Sequence, residues 1–449
     1  MTQRAIRSAG STFGWNGAFV RPYRAPTISP ALRLQIMLML AGCGLMSWHL
    51  LRVPEVNLTI SDVLLAAATL VVLVRYRLSI RPLGTMSYIW ILCVLAFLGA
   101  LLMSSVANYG PGRWVIVAPQ YVFSLVILPM LFGSFTKVFL QRCLLWFAFG
   151  IVASQLLGLA AKYALPLSVG DVLPDKLVLP NERIGAMAGE GNWNGAMIGF
   201  GMVVIMHFTL TRSLNWIAGL ACLAVLCWAL PETGSVTGLL ATVTGIATLI
   251  LARGGRSVAG WVLLVVAVPA IYVGFGFPLP EIFEQRVAGA LASGSLEQAG
   301  TFADRSRLIA ESWEIADDTL LVGLGVDQYR ILSSDGAPVH NFPLLALTEG
   351  GLLAAIAVIG MFLAMFAMAL LRLGEERSSG AVMLAMVVVL AVFSLAIPHM
   401  YTRIWFPPVL LALIAFRSAD MPFRPVPRRD VPVQEPADRT VLQAGADSA

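Results

Sequence analysis

Residues 304–330 read DRSRLIAESWEIADDTLLVGLGVDQYR, and they form the centre of a polar segment that extends from about 278 to 340. The sequence on both sides of this segment is strongly apolar. Charged residues make up only 12% of the chain and hydrophobic residues 58%, whereas soluble proteins contain about 25% charged residues. The composition therefore indicates a membrane protein. The polar segment, called the island below, predicts one large loop outside the bilayer that contains short helices.

Runs of apolar residues recur along the chain at the length of about 20 that a helix needs to cross a membrane. Lipid offers no partners to backbone polar groups, so crossing segments must be helical. The pattern predicts an all-α, polytopic membrane helix bundle with about twelve spans, nine in 34–277 and three in 341–417. The apolar sequence from Phe342 to Leu371 is long enough for a bent or tilted helix. The predicted centres lie near residues 42, 66, 95, 125, 152, 202, 222, 243, 267, 356, 388 and 410.

The distribution of Lys and Arg predicts the orientation of these spans. About two thirds of the 30 Lys and Arg residues fall in the two tails, 1–33 and 418–449, and in short loops on the same side. Because cytoplasmic loops are enriched in these residues, both termini are expected in the cytoplasm. The island then faces the periplasm of a cell with two membranes. The net charge of +5 reflects this topology, and no nucleic-acid partner is expected. The tail 418–449 is expected to be disordered, because it is polar and rich in Pro.

The island contains a predicted helix from about Phe302 to Asp317, with Thr301 and Asp304, three residues apart, as a capping-box signal at its start. Arg307 falls on its polar face with Glu311 and Glu314, which predicts a solvated ion pair. Arg305 falls on the apolar face and needs a partner there. An anionic substrate, an acid of another loop, or extension of the side chain to water would each satisfy it. The apolar face also carries Leu308, Ile309, Ser312, Trp313 and Ala316.

His340 closes the island, and Asn341 and an apolar helix follow it directly. A histidine in this position is either structural or a proton acceptor near neutral pH. His399, in IPHMYTRIW next to Arg403, is a second candidate. His49 and His207 lie in or near apolar spans without polar residues beside them in the sequence, so they are weaker candidates.

A third candidate site is the segment NERIGAMAGEGNWNG, residues 181–195. Arg183, Glu190, Asn192 and Asn194 alternate there with glycines just before a predicted helix. Exposed amides at a helix start, together with an arginine, favour phosphate binding. The alternative is that the glycines only turn the chain. The five cysteines all lie in apolar spans, and their spacing does not fit a metal site.

Together, these motifs resemble the O-antigen ligase and polysaccharide polymerase family of bacterial envelopes. Arg183-Ile184-Gly185 and the following Gly/Asn-rich turn resemble one element of that family. Arg305, the segment WEIADDTLLVGLG, His340-Asn341 and Glu349-Gly350-Gly351 resemble its late external loop and the helix after it. The match covers about 183–195 and 304–351.

The resemblance implies a GT-C-like glycosyltransferase of the bacterial inner membrane that needs neither metal nor cofactor. The donor would be a glycan on polyprenyl diphosphate, and the acceptor a hydroxyl of a glycan or of lipid A-core. By this analogy His340 is the base, and Arg305 and Arg183 bind the diphosphate. The family carries a Ser-Arg pair where this chain has Ser235-Val236. Further possible substrate contacts are Asn194, Arg403 and Asn341.

Other functions fit parts of the same sequence. A transporter or flippase of lipid-linked sugars would carry charged groups inside its spans, and Glu349 is the main such group here. A protein O-oligosaccharyltransferase would use the same donor with a protein acceptor. An assembly scaffold without activity is the third alternative.

Overall fold

The computed structural model describes residues 30–53, 57–75, 77–108, 110–164, 176–254, 302–396 and 403–418. These residues are mostly α-helical, with one short antiparallel pair of strands, β1 (Arg52–Val53) and β2 (Leu58–Thr59). The described helices are α1 (Pro30–Gly44), α2 (Ile60–Arg75), α3 (Met86–Ala107), α4 (Gly112–Phe132), α5 (Lys137–Tyr163), α6 (Gly191–Leu210), α7 (Trp216–Glu232), α8 (Val236–Arg253), α9 (Phe302–Thr319), α10 (Tyr329–Leu332), α11 (Phe342–Glu375), α12 (Arg377–Ser394) and α13 (Phe406–Phe416).

Seven of the described helices are long and apolar enough to cross a membrane: α3, α4, α5, α6, α8, α11 and α12. The helices α1, α2, α7 and α13 are apolar but shorter. These eleven coincide with eleven of the predicted spans, and the span predicted near residue 267 lies outside the described residues. The mostly helical architecture is therefore confirmed and is compatible with a membrane helix bundle, while the count of about twelve spans stays a prediction. Helix α1 begins at Pro30, so residues 30–33 belong to it rather than to the basic tail.

Charged side chains meet at opposite ends of the same helices. At one end, Arg372 Nε donates to the carbonyl of Phe416 at 2.8 Å, and Lys137 donates to the carbonyl of Arg417. At the other end of α5, Lys162 pairs with the buried Glu232 at 2.7 Å. Lys137 and Arg372, which the charge pattern assigned to the cytoplasmic side, thus lie at one end of the helices, and Lys162, assigned to the opposite side, lies at the other end. The assignment of the first end to the cytoplasm stays a prediction.

Helix α11 is broken at Gly351, whose φ of +71° and ψ of −173° are not helical. The positive φ favours glycine, because a Cβ strains this conformation. The break divides α11 into 342–350, called the re-entrant helix below, and 352–375. The sequence predicted a bent or tilted helix here, and the structure shows a complete interruption instead.

The re-entrant helix folds back beside the helix that follows it. The rings of Phe342 and Phe362 both pack on the ring of Phe406, at centroid distances of 6.1 and 6.3 Å. In a continuous helix, two residues 20 positions apart would be separated by about 30 Å. Phe342 also packs against Phe97, near the middle of α3, at 6.2 Å. The start of the re-entrant helix therefore lies inside the bundle, and its end lies at Gly351.

The island covers the backbone groups that the break exposes. The carbonyls of Thr348 and Glu349 accept hydrogen bonds from the amides of Leu324 and Gly325, both at 2.8 Å. Beyond the break, the amide of Leu352 donates to the island chain at 2.8 Å. These bonds replace the intrahelical partners that carbonyls at a helix end lack. The segment after α9 and the Glu-Gly-Gly motif of α11, which the sequence singled out separately, are thus in direct contact.

Candidate active site

The island helix α9 extends from Phe302 to Thr319, close to the predicted bounds. Leu308, Ser312 and Ala316 form its buried stripe, and the partly buried Arg305 continues that stripe. The prediction that Arg305 lies on the apolar face is therefore confirmed. Trp313 was assigned to the same face and is 54% exposed. The buried stripe is narrower than predicted, and Trp313 lies about 100° around the helix from Ser312.

Arg305 points at the start of membrane helix α8. Its Nη1 donates a hydrogen bond to Thr237 Oγ1 at 3.3 Å, and Thr237 lies in the first turn of α8. The amide of Gly238 in the same turn donates to Ser235 Oγ at 3.0 Å. A helix start carries a partial positive charge. Arg305 therefore adds a full positive charge to a place that already favours an anion.

His340 lies just before the re-entrant helix, within electrostatic range of Arg305. The imidazole is largely buried, and its Nδ1 makes no hydrogen bond within the described part of the chain. Burial, and then the charge of Arg305, lower the pKa of His340 to about 4. The sequence predicted a proton acceptor near neutral pH, so this pKa is a correction. His340 is neutral at neutral pH and has a nitrogen lone pair that can accept a proton.

Arg307 points away from this site and is 58% exposed on its side chain. Its Nη2 lies 2.6 Å from both carboxylate oxygens of Asp335. An ion pair was predicted, but its partners were expected on the same helix. Glu311 instead accepts a hydrogen bond from the amide of Ser334 at 2.9 Å, so the polar face of α9 is tied to the later part of the island.

Arg183 is only 5% exposed and links three segments. Its Nε donates to the carbonyl of Thr233 at 2.6 Å, and its Nη2 donates to Asn192 Oδ1 at 2.9 Å. Its Nη1 lies 3.9 Å from Glu190 Oε1. Thr233 belongs to the turn between α7 and α8, so Arg183 fixes the position of the α8 start on which Arg305 also acts.

The sequence predicted a phosphate-binding site at the start of helix α6, but the carboxylate of Glu190 caps this helix start. The amide of Trp193 donates to Glu190 Oε2 at 2.8 Å. A carboxylate at a helix start satisfies its amides as a phosphate would. At least one glycine of this segment is needed for packing, because a Cβ on Gly185 would lie 2.4 Å from the carbonyl oxygen of Lys176. The glycine-rich segment therefore builds a packed turn.

Asn194 is completely buried in this turn and does not face open space. Its amide group exchanges two hydrogen bonds with Gln155, at 2.7 and 3.0 Å, and donates to the carbonyl of Ile184 at 3.0 Å. Its predicted contact with substrate has no support in this geometry. The contacts of Asn194 instead join α6 to α5 and to the chain before the turn.

The remaining candidates lie around the re-entrant helix and α13. Asn341 caps the re-entrant helix, since its Oδ1 accepts a hydrogen bond from the amide of Leu344 at 3.0 Å. Arg403 begins the short 3-10 helix Arg403–Trp405, and its side chain lies outside the described residues. His399 also lies outside them.

Sequence reasoning missed two residues whose side chains make polar contacts: Thr237, to which Arg305 donates, and His49, which packs at the start of α6. Thr237 carries no sequence signal beyond its place at a helix start. His49 was expected to lack polar neighbours, but its ring contacts the guanidinium of Arg52. It also packs on Trp193 at a centroid distance of 5.1 Å. Arg52 follows His49 by three positions in a turn rather than a span, which is the signal that was overlooked.

The structure thus places Arg305 at the start of α8, with His340 close enough for the charge of Arg305 to lower its pKa, and Arg183 holds the turn before the same helix. Within the described ranges, no cluster of three or more His, Cys, Asp or Glu side chains could hold a metal ion. No protein-family model matches the sequence, and no curated protein matches it. The resemblance to the ligase and polymerase family therefore depends on the short motifs alone.

Proposed function

We propose that this chain is a membrane glycosyltransferase of the O-antigen ligase and polysaccharide polymerase type. It transfers a glycan from a polyprenyl-diphosphate donor to a sugar hydroxyl on the outer side of the inner membrane. The observation that carries the proposal is Arg305 at the start of α8, with the neutral His340 within range of its charge. An anion-binding group and a proton acceptor side by side are what this transfer requires.

The transfer breaks the bond between the sugar C1 and the diphosphate oxygen, which leaves with the electron pair. The acceptor oxygen forms the new bond to C1, and its proton goes to His340. Arg305 stabilises the charge that develops on the diphosphate, because its planar fork can donate two parallel hydrogen bonds. Removal of one such donor typically raises a barrier by about 2.7–4 kcal/mol. A placed general base contributes about 10²–10⁴-fold.

Donor binding should make His340 a stronger base. The charge of Arg305 is one of the two causes that lower the pKa of His340. A diphosphate bound to Arg305 compensates that charge, so the pKa of His340 rises when the donor is present. The free site would thus hold a weak base, and the occupied site a stronger one.

A transporter or flippase of lipid-linked sugars is the second candidate, and the re-entrant helix favours it. Broken helices with their starts inside the bundle are common in transporters, and Phe342 packs near the middle of α3. Glu349, however, is fully buried and accepts a hydrogen bond from the amide of Asp327 at 2.9 Å. Its carboxylate thus has a structural role.

The decisive experiment uses the purified protein in liposomes with a radiolabelled lipid-linked glycan on one leaflet. An enzyme converts the donor to polyprenyl diphosphate and a glycosylated acceptor, whereas a transporter moves the intact donor to the other leaflet. Movement without conversion, in the presence of acceptor, would refute the proposal. Glycan analysis of a deletion strain then separates a polymerase from a ligase, and glycoprotein analysis of the same strain reveals a protein O-oligosaccharyltransferase.

A further inference from the structure

The island ends its helix α9 with an exposed apolar tip at residues 320–322. Leu320, Leu321 and Val322 are all exposed, and Leu321 reaches 78%. The tip is continuous with the exposed apolar side of α11, because the carbonyl of Leu320 accepts a hydrogen bond from the amide of Leu352 at 2.8 Å. Leu352 and Leu353 are exposed on that side. One apolar surface therefore passes from a membrane helix onto the island.

The tip lies at the height where the membrane span ends. The segment 352–375 rises about 36 Å at 1.5 Å per residue, which exceeds the ~30 Å of the hydrocarbon core. Gly351 therefore marks the outer boundary of this span. A Cβ on Gly351 would lie 2.5 Å from the carbonyl oxygen of Leu321, so the tip is in direct contact with this boundary.

The backbone around the tip is suited to an apolar environment. The amide of Gly323 donates to the carbonyl of Thr319 at 2.7 Å, and the following amides pair with the end of the re-entrant helix. The carbonyl of Gly323 accepts a hydrogen bond from Asn108 Nδ2 at 3.0 Å. Irregular backbone is tolerated at membrane depth only when protein groups satisfy it in this way.

Two arginines flank the tip and share one carboxylate. Arg113 Nε lies 3.2 Å from Asp327 Oδ2, and Arg330 Nε lies 2.9 Å from Asp327 Oδ1. Both arginine side chains are more than a third exposed. The two guanidinium groups are exposed, whereas the carboxylates of Asp327 and Glu349 beside them are buried, so the charge that this group presents at the surface is positive. An apolar tip with positive charge beside it matches the two layers of a membrane surface, hydrocarbon and phosphate.

We propose that residues 320–322 insert into the outer leaflet of the bilayer, with Arg113 and Arg330 at the level of the lipid phosphates. The occupant of this surface is membrane lipid. The island is thus anchored in the membrane, in contrast to the sequence prediction that all of 278–340 stays outside it. The tip would contact lipid whether the protein is a glycosyltransferase or a transporter, so its insertion is independent of the proposed function.

Spin labels on the full-length protein in liposomes of phosphatidylethanolamine and phosphatidylglycerol test this insertion. The five native cysteines are replaced by alanine, and single cysteines are introduced as Leu321→Cys, Leu353→Cys or Ser334→Cys. Leu353 is the membrane-helix reference, and Ser334 is the exposed island control. Collision with oxygen reports hydrocarbon, and collision with a water-soluble nickel complex reports water.

We expect the label at 321 to resemble the label at 353, with frequent oxygen collisions and few nickel collisions, while the label at 334 shows the reverse. Nickel access at 321 equal to that at 334 would overturn the proposal. Low access to both reagents would also overturn it, because another segment of the protein would then cover the tip. If a label at 321 disturbs folding, Leu320→Cys and Val322→Cys supply the same comparison.

Discussion

Arg305 of the island donates a hydrogen bond to Thr237 of α8 across 3.3 Å, and this contact joins the island to the start of a helix that is long and apolar enough to cross a membrane. The two residues are far apart in the sequence. Because Thr237 is in the first turn of α8, the contact sets the guanidinium against a helix start that already favours anions. The proposed transfer depends on this placement.

The first prediction separates the two arginines of α9. Arg305→Ala should reduce transfer by about 10²–10³-fold, the usual loss for one donor to a developing negative charge. Arg307→Ala should have an effect of less than threefold, because Arg307 is exposed and pairs with Asp335 instead of contacting the start of α8. Turnover with a labelled lipid-linked glycan measures both at equal expression.

Arg305→Lys is the matched control for charge. It should restore little activity, since an ammonium cannot donate two parallel hydrogen bonds to a diphosphate. Full activity with lysine would show that a positive charge at position 305 is enough for transfer and that two parallel hydrogen bonds are not needed. Equal damage from Arg307→Ala would refute the division of α9 into two faces.

The second prediction concerns His340. His340→Ala should insert and fold normally, still bind the lipid-linked donor, and lose at least ~10²-fold in turnover. The neutral imidazole is the active form, so kcat/KM should be constant from neutral pH down to about 5. It should fall as the pH passes below the pKa of about 4.

Arg305 supplies the control for this pH dependence. Its charge is the second cause of the lowered pKa of His340, so Arg305→Ala should raise that pKa, while burial continues to hold it down. NMR titration of histidine in the two proteins measures the difference. An unchanged pKa would contradict the proximity of the two side chains. Normal turnover in His340→Ala would move the base to another residue, and His399 would be tested next.

The third prediction tests Asn194 as a structural residue. Asn194→Ala leaves the amide of Gln155 buried without its partner, which should lower the free energy of unfolding by about 1–3 kcal/mol. Gln155→Ala should cost a similar amount, and the double variant less than the sum, because each single change removes the same pair. Denaturation in detergent measures all three. An Asn194→Ala protein of normal stability that lacks activity would instead favour a contact with substrate.

The fourth prediction concerns Val236, which is partly exposed directly beside Thr237. Val236→Arg adds a second guanidinium at the α8 start, where the resembled family carries arginine. We expect KM for the lipid-linked donor to fall several-fold, with the gain lost at high salt. Val236→Gln controls for size without charge. A gain from glutamine equal to that from arginine would exclude an electrostatic effect at this position.

The sequence predicted the helices and the two faces of α9 well, because both follow from hydrophobic periodicity over many residues. It placed Arg305 and His340 in one site through their order along the chain and the family resemblance. The sequence could not reveal that the glycine-rich segment 181–195 forms a packed turn rather than a phosphate site. An arginine beside a helix start gives the same sequence pattern whether a phosphate or Glu190 caps the helix. The break at Gly351 was also hidden, because the apolar sequence resumes on both sides of the Glu-Gly-Gly motif and glycines are common in membrane helices.

The hydrogen bonds between 324–325 and 348–349 have a consequence for how the protein is made. The re-entrant helix is too short to be recognised as a span by itself. Its final carbonyls obtain backbone partners only when the island chain reaches them, although Ser104 of α3 also donates a hydrogen bond to the carbonyl of Glu349. The island must therefore be translocated before the re-entrant helix can take its final position in the bundle. If the chain is divided between Gly336 and His340, the two fragments should copurify after coexpression. The hydrogen bonds between 324–325 and 348–349 are noncovalent and would join one fragment to the other.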